Sequence, residues 1–298
     1  MNGVINIYKE SGYTSFHIVD RVRKILNVSK CGHLGTLDPM AEGVLPVCVG
    51  YATRFADYLS SVNKEYIAEF RLGEKSNSYD STGNIVRSES GIVPDAAQVA
   101  GVFSEMTGLT GLKVPPFSAK KINGVRAYKL ARKGCIEDAG VRPMEIFSID
   151  LLNYEYPLGI IKVSCGKGTY IRSIINEAGE RLGTGALMSG LIRSANGIFK
   201  SGNSVKLDKL EEMALNGSAG EVIIPVTRLL DWGKAVVKDS AVKNIANGMP
   251  PARDAFLFFP VEHEGAYFFI TDSADNLIAA AQRQENSEYP LKLKMVLK

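Results

Sequence analysis

Cysteine and histidine are scarce in this 298-residue chain, and they fall in no useful pattern. Cys31, Cys48, Cys135 and Cys165 are far apart, no Cys-x-x-Cys pair occurs, and His17, His33 and His263 form no cluster. Zinc sites and disulfide frameworks both depend on such spacing, so a reduced protein with no metal is expected. No apolar run reaches the ~18 residues of a membrane span. Residues 1–10 lack the basic-then-apolar layout of a secretory signal, so a cytoplasmic, membrane-independent protein is expected. The phosphate-binding Gly-x-x-x-x-Gly-Lys-[Ser/Thr], a strand-linked Gly-x-Gly-x-x-Gly and the Gly-x-Ser-x-Gly elbow are all missing. Gly166-Lys167-Gly168-Thr169 imitates only the end of the first. These absences exclude the commonest nucleotide, dinucleotide and hydrolase sites.

What is present is an ordinary globular balance, with 45% hydrophobic and 22% charged residues. The length suits one large domain or two smaller ones. The net charge of +3 is unevenly spread. Of the 35 basic and 32 acidic residues, 27 and 23 lie in residues 1–230, and 8 and 9 in residues 231–298. Residues 113–133 hold seven basic residues and no acidic one: Lys113, Lys120, Lys121, Arg126, Lys129, Arg132 and Lys133. Such a stripe fits a polyanion as well as it fits a solvated face, and Phe117 and Tyr128 within it offer rings for stacking on bases.

Periodicity and punctuation give a coarse map. Strands are expected at 4–8, 43–50, 66–72, 145–152 and 160–165. Helices are expected from Thr14 as cap to about 27, at 52–62, from Asp95 with Gln98 as a capping box to 106, at 128–133 and at about 169–182. Asp208 with Glu211 reads as a further cap. Residues 30–38, 76–83 and 108–118 read as loops. A boundary is placed near 227–233. Beyond it come one helix, 239–246, and strands at 256–259, 266–270, 277–281 and 291–297, the pattern of a small barrel-like module. Strands and helices alternate irregularly before that boundary, which indicates an α+β fold.

One loop carries concentrated chemistry: Gly32-His33-Leu34-Gly35-Thr36-Leu37-Asp38-Pro39, ahead of a buried strand. Pro39 biases Asp38 toward an extended or turn geometry. Taken alone, Asp-Pro is an ordinary turn signal. This segment resembles the catalytic-aspartate motif of the tRNA pseudouridine-55 synthases. Lys9-Glu10-Ser11-Gly12-Tyr13-Thr14-Ser15 is similar to that family's opening segment, and Lys64-Glu65-Tyr66 to its second motif. Val114-Pro115-Pro116-Phe117-Ser118-Ala119-Lys120-Lys121, running on to Gly134, is similar to its RNA-binding insertion. Gly168-Thr169-Tyr170-Ile171-Arg172-Ser173 and Leu191-Ile192-Arg193-Ser194 resemble two more motifs. The matches span residues 1–200 in the family's order. Leu187, Ile192 and Glu42 depart from it, standing where the family commonly has His or Tyr, a second basic residue, and Thr or Ser.

The resemblance implies an α+β, mixed-sheet catalytic domain over residues 1–230, with an RNA-binding insertion at about 108–140. It implies a small PUA-type RNA-binding domain over 231–298. The implied reaction converts the uridine at position 55 in the tRNA T-loop to pseudouridine, with no cofactor and no metal. The partner is the tRNA T-stem loop, and the enzyme is expected to act as a monomer without a protein partner. Asp38 is then the essential residue, Arg172 its ion-pair partner, and Tyr66 the residue against the target base. Tyr170 and Leu191 line the base pocket, and His33 contacts the RNA loop. Lys120, Lys121, Arg132 and Lys167 hold phosphates. Three other functions compete: a noncatalytic RNA-binding protein, a guide-RNA-directed relative, and a hydrolase using Asp38 and Glu42. The first would need a lost aspartate or arginine, and both are present. The basic insertion favours stand-alone tRNA recognition over a guide, and no second motif supports a hydrolase.

Overall fold

A computed structural model of the chain describes residues 1–60, 62–118, 121–122, 124–131, 134–135, 139–285 and 288–297. A mixed sheet forms the frame. Its strands run, in order, Ile223–Ile224, Gly3–Lys9, Glu42–Val49, Ala186–Asn196, Lys64–Leu72, Leu158–Cys165, Val141–Glu155 and Gly108–Lys113. Cys31–His33 and Phe199–Lys200 pair off this path. Neighbours are antiparallel except at one seam, where Ile192 and Arg193 pair in parallel with Glu42 and Gly43. Gly43 has φ +101°, and a Cβ there would collide with the Arg193 carbonyl, so this junction requires glycine.

Alternation along the strands splits their side chains between two cores. Ile5, Ile7, Leu45 and Val47 enter the larger one, with Tyr66 and Phe70 of the next strand but one. The helices Ser15–Ile25, Ala96–Glu105 and Ile171–Arg181 cover that face with Ile18, Val22, Val99, Phe103, Ile174 and Ile175. Val4, Val44 and Cys48 point the other way, against Phe55, Leu59, Phe269, Met295 and Leu297. The second sheet runs Phe256–Phe258, Gly233–Val237, Tyr267–Thr271, Leu277–Arg283 and Leu291–Val296. Trp232, the single tryptophan, sits between the sheets. Its ring centroid lies 4.9 Å from those of Tyr58, Tyr267 and Phe269.

Several local expectations hold. Thr14 caps its helix by accepting from the His17 N–H, and Asp95 with Gln98 makes the capping box. The helix over 239–246 and the four C-terminal strands appear close to the expected places. Others need correction. Residues 30–38 include the strand Cys31–His33, and the expected loop at 108–118 begins with the edge strand Gly108–Lys113. In place of the helix expected over 52–62, Gly50–Phe55 forms a 3-10 turn and Ala56–Leu59 a four-residue helix. The helix Leu207–Leu215 starts after Lys206 with no side-chain cap, and Asp208 lies inside its first turn. The strands Gly233–Val237 and Ala186–Asn196 were unexpected. The latter carries Ser189 and Gly190 and bulges beside Gly190, which masks its alternation.

Candidate active site

The loop around Asp38 is held by its carbonyls. Asn196 donates to the Leu34 oxygen (3.1 Å), and Arg193 donates to those of Gly35 (2.9 Å) and Thr36 (3.4 Å). The Ser15 hydroxyl donates to the Leu37 oxygen and accepts the Leu37 N–H. The Ala41 N–H reaches the Asp38 oxygen. The ammonium of Lys9, itself fully buried, donates to the carbonyls of Glu10, Pro39 and Ala41, and Ser11 donates to that of Met40. Every carbonyl from Leu34 to Ala41 therefore has a donor, most from other segments, so the loop has little freedom. Burial pushes the Lys9 ammonium down to about 8, against the pull of Asp38 and Glu42.

Arg172 enters from the opposite side, one residue into the helix Ile171–Arg181. Its Nε and Nη2 meet the two Asp38 oxygens at 3.0 and 3.1 Å, a bidentate pair that fixes the carboxylate's plane. Its other N–H groups reach the carbonyls of Ser78 (3.0 Å) and Phe117 (3.1 Å) and the Asp80 carboxylate (3.4 Å). Asp80 is buried and held by Ser78 Oγ (2.7 Å), Thr82 Oγ1 (2.6 Å) and the Thr82 N–H (3.0 Å).

A cavity of about 280 Å³ opens beside this pair, lined in part by Leu34, Tyr66, Ser118, Tyr170 and Leu191. The two-residue period of Lys64–Leu72 turns Lys64 and Tyr66 into it together, and Arg193 pairs directly across from Tyr66. Burial raises the Tyr66 phenol above its ordinary range, partly opposed by the Arg193 guanidinium. Burial lowers Lys64 to about 8, helped by Arg193. Lys167 lies at the rim, donating to Ser60 Oγ at 2.9 Å.

Asp38, Tyr66, Tyr170, Arg172, Leu191 and Lys167 thus meet at one cavity, though they come from four separate stretches of sequence. His33 stands just outside, half-buried, its Nδ1 accepting the Gly35 N–H. Lys120 and Arg132 lie outside the described residues, as does the side chain of Lys121. Asp80 had no sequence signal beyond a polar run at 76–83. Lys9, Lys64, Ser118 and Arg193 sat inside quoted motifs without a role. Of the departures, Leu187 is buried, Ile192 is exposed, and Glu42 accepts from the Tyr8 hydroxyl at 3.2 Å.

The fold and the sequence match one class of RNA-modifying enzyme. The chain superposes on the crystal structure of a Cbf5-Nop10-Gar1 complex with a TM-score of 0.70 and 28% identity, covering 99% of this chain and 84% of that one. An H/ACA RNP bound to a substrate RNA containing 2'-deoxyuridine gives 0.69 and 27%, covering 99% and 85%. Residues 23–171 match the TruB family pseudouridylate synthase (N terminal domain). A tRNA pseudouridine synthase B from Clostridium kluyveri is 41% identical over 259 residues, 86% of this chain and 88% of that protein. The corresponding protein of Listeria monocytogenes is 36% identical over 273 residues, 89% and 88%. The chain belongs to the TruB family of pseudouridylate synthases and is an isomerase. Among the described residues no helix is long and apolar enough to cross a membrane.

Proposed function

We infer that this enzyme converts the uridine at position 55 in the T-loop of tRNAs to pseudouridine. The observation that carries the reading is the bidentate Asp38–Arg172 pair beside an apolar-walled cavity. The C1′–N1 bond breaks, the base turns, and a C1′–C5 bond forms. C5 gives up its hydrogen as a proton and N1 gains one. Asp38 acts at C1′, as nucleophile or as electrostatic partner of the ribose. Arg172 orients that carboxylate. Tyr66 lies against the base and takes part in moving the C5 proton, its phenol neutral at rest because burial holds the proton in place. Tyr170 and Leu191 enclose the base. A stacked loop shields C1′ and C5, so the nucleotide must be extruded, at a few kcal/mol that pocket contacts offset.

His33 then contacts the loop around the extruded nucleotide. Lys167 and the insertion's Lys120, Lys121 and Arg132 hold phosphates, so affinity falls with salt. Residues 231–298 form a PUA-type unit that adds RNA contacts, and residues 1–230 carry the chemistry. The names of the curated relatives and the order of the motifs support tRNA as substrate. On this reading the enzyme is cytoplasmic and acts as a monomer without a protein partner.

The test is tritium release from a tRNA transcript labelled at C5 of uridine. Release near one equivalent per tRNA is expected from the chain alone, and none from Asp38→Asn, which still binds. Tight binding without release would favour a noncatalytic or guide-dependent RNA-binding role. Asp38→Asn activity within about tenfold of the natural enzyme would remove Asp38 from the chemistry, since such a loss equals only ~1.4 kcal/mol.

A further inference from the structure

We propose that a basic pocket outside the catalytic cavity, where the two sheets meet, holds a backbone phosphate of the bound tRNA. This rests on the tRNA reading above and adds a contact that reaches beyond the target loop.

The pocket has a volume of about 530 Å³. Its walls are residues 1–2, residues 28–30 after the helix Ser15–Ile25, residues 50, 51 and 54 after the strand Glu42–Val49, and Val296 at the end of the last strand. Hydrogen bonds fix these walls. The Gly50 N–H donates to the Lys30 oxygen and the Tyr51 N–H to Asn2 Oδ1, both at 2.9 Å. Gly50 has φ +61°, and a Cβ there would strike Asn2 Oδ1, so this wall closes only over glycine. Arg54 Nη1 donates to the Val296 oxygen, which ties the guanidinium across the junction of the sheets. Its remaining N–H groups have no partner among the described residues. The lining carries two side-chain cations, Lys30 and Arg54, and no carboxylate. Neither makes an ion pair among the described residues. On the preceding helix, by contrast, Arg21 pairs with Glu211, and Arg23 and Lys24 with Asp20. Ser29 and Tyr51 add hydroxyls to the same wall. Unneutralised cations and hydroxyl donors on one concave wall suit a phosphate, which takes charge-assisted bonds from both.

Position decides which phosphate. Lys30 immediately precedes the strand Cys31–His33, so it stands roughly 10 Å of extended chain from His33, the residue assigned to the RNA loop. Val296 belongs to the second sheet, the unit assigned further RNA contacts. The pocket therefore lies between the two surfaces that the tRNA reading gives to RNA, and a backbone running from one to the other comes within its reach. A free phosphate ion has the same chemistry, and the test separates the two.

The experiment measures tRNA affinity of the full chain across a salt series, with single-turnover tritium release at saturating enzyme beside it. Lys30→Gln and Arg54→Gln together should weaken binding at low salt roughly two- to fivefold. The fall of log affinity with log salt should become shallower by about one unit, the mark of one lost phosphate contact. The rate at saturating enzyme should stay within about twofold, because neither residue lines the catalytic cavity. Arg54→Lys keeps the charge and should keep the slope. Lys30→Gln alone leaves the Arg54–Val296 bond in place, so it should flatten the slope with no change in melting temperature. Lys209→Gln removes one charge from a lysine paired with Glu212 outside the pocket, and should leave the slope as it is. An unchanged slope in the double variant, an equal change in Lys209→Gln, or a lost rate at saturating enzyme would overturn the proposal. So would inorganic phosphate that raises the melting temperature of the natural chain but not of the double variant while the tRNA slope is unaltered, which would assign the pocket to a free anion. Absence of tritium release by the natural enzyme would instead remove the isomerase reading and leave the salt comparison intact.

Discussion

At the scale of single residues, the site is a chain of charge contacts: Asp80, Arg172, Asp38. Asp80 accepts three bonds on one oxygen and gives the other to Arg172. Asp80→Asn keeps its size and can keep the Thr82 bond, but it removes the charge facing the guanidinium. A hydrogen bond to a charged group is worth about 1.5–3 kcal/mol, so single-turnover pseudouridine formation should fall roughly tenfold or more, with RNA affinity little changed. Rapid-quench assay of tritium release checks this. The buried lysines give a second expectation. Lys9 and Lys64 titrate near 8 rather than 10.5. Above that point Lys9 loses a donor from the three carbonyls it holds, the Asp38 loop loosens, and the rate should decline on the alkaline side. Stability should not follow. Between about 8 and 10.5 the unfolded chain binds more protons on these lysines than the native one, so their contribution favours the native state as pH rises. A rate profile and a melting profile over the same range should therefore diverge.

Elements matter because two helices begin at the Asp38 loop. Ser15, the first residue of Ser15–Ile25, clamps Leu37, and Arg172, second in Ile171–Arg181, grips Asp38. Their N-terminal ends therefore set where the carboxylate stands. Thr14→Ala removes the oxygen that accepts the His17 N–H and should cost about 1 kcal/mol of stability. Fraying that first turn also loosens Ser15, so the rate should drop by more than RNA affinity. Urea melts and single-turnover rates, measured on the same preparation, check both parts.

The whole molecule is joined by an apolar seam. Phe55 and Leu59 of the first sheet's outer layer meet Phe269, Met295 and Leu297 of the second sheet, around Trp232. We propose that residues 231–298 act as a separate RNA-binding unit, yet cutting there would expose this seam. A milder probe is Trp232→Ala. Truncating an aromatic ring in such a cluster costs about 3 kcal/mol, at the low end because the ring is only half-buried. Melting temperature should fall, and tRNA affinity should fall more than single-turnover chemistry, since the site lies on the sheet's other face. Equal loss of both would mean the second sheet is needed to shape the active site.

Local chemistry determined much by itself. The Thr14 cap, the Asp95–Gln98 box, the alternating C-terminal strands and the Gly-His-Leu-Gly-Thr-Leu-Asp-Pro loop are all readable because they depend on neighbours within a few residues. The motif segments that supplied Asp38, Tyr66, Tyr170, Arg172 and Leu191 are legible only through their resemblance to a known family. What only the tertiary structure decided involves partners far apart in sequence. Arg172 reaches Asp38 across 134 residues, and Arg193 reaches Gly35 across 158. Ala186–Asn196 is central because the Glu42 and Lys64 strands flank it, although its own bulged pattern hides the alternation. Asp80 became part of the site only when Arg172 was buried beside it. Periodicity records which face of an element is apolar. It does not record which distant groups must share a buried charge, because that pairing is set by the desolvation that only the packed chain imposes.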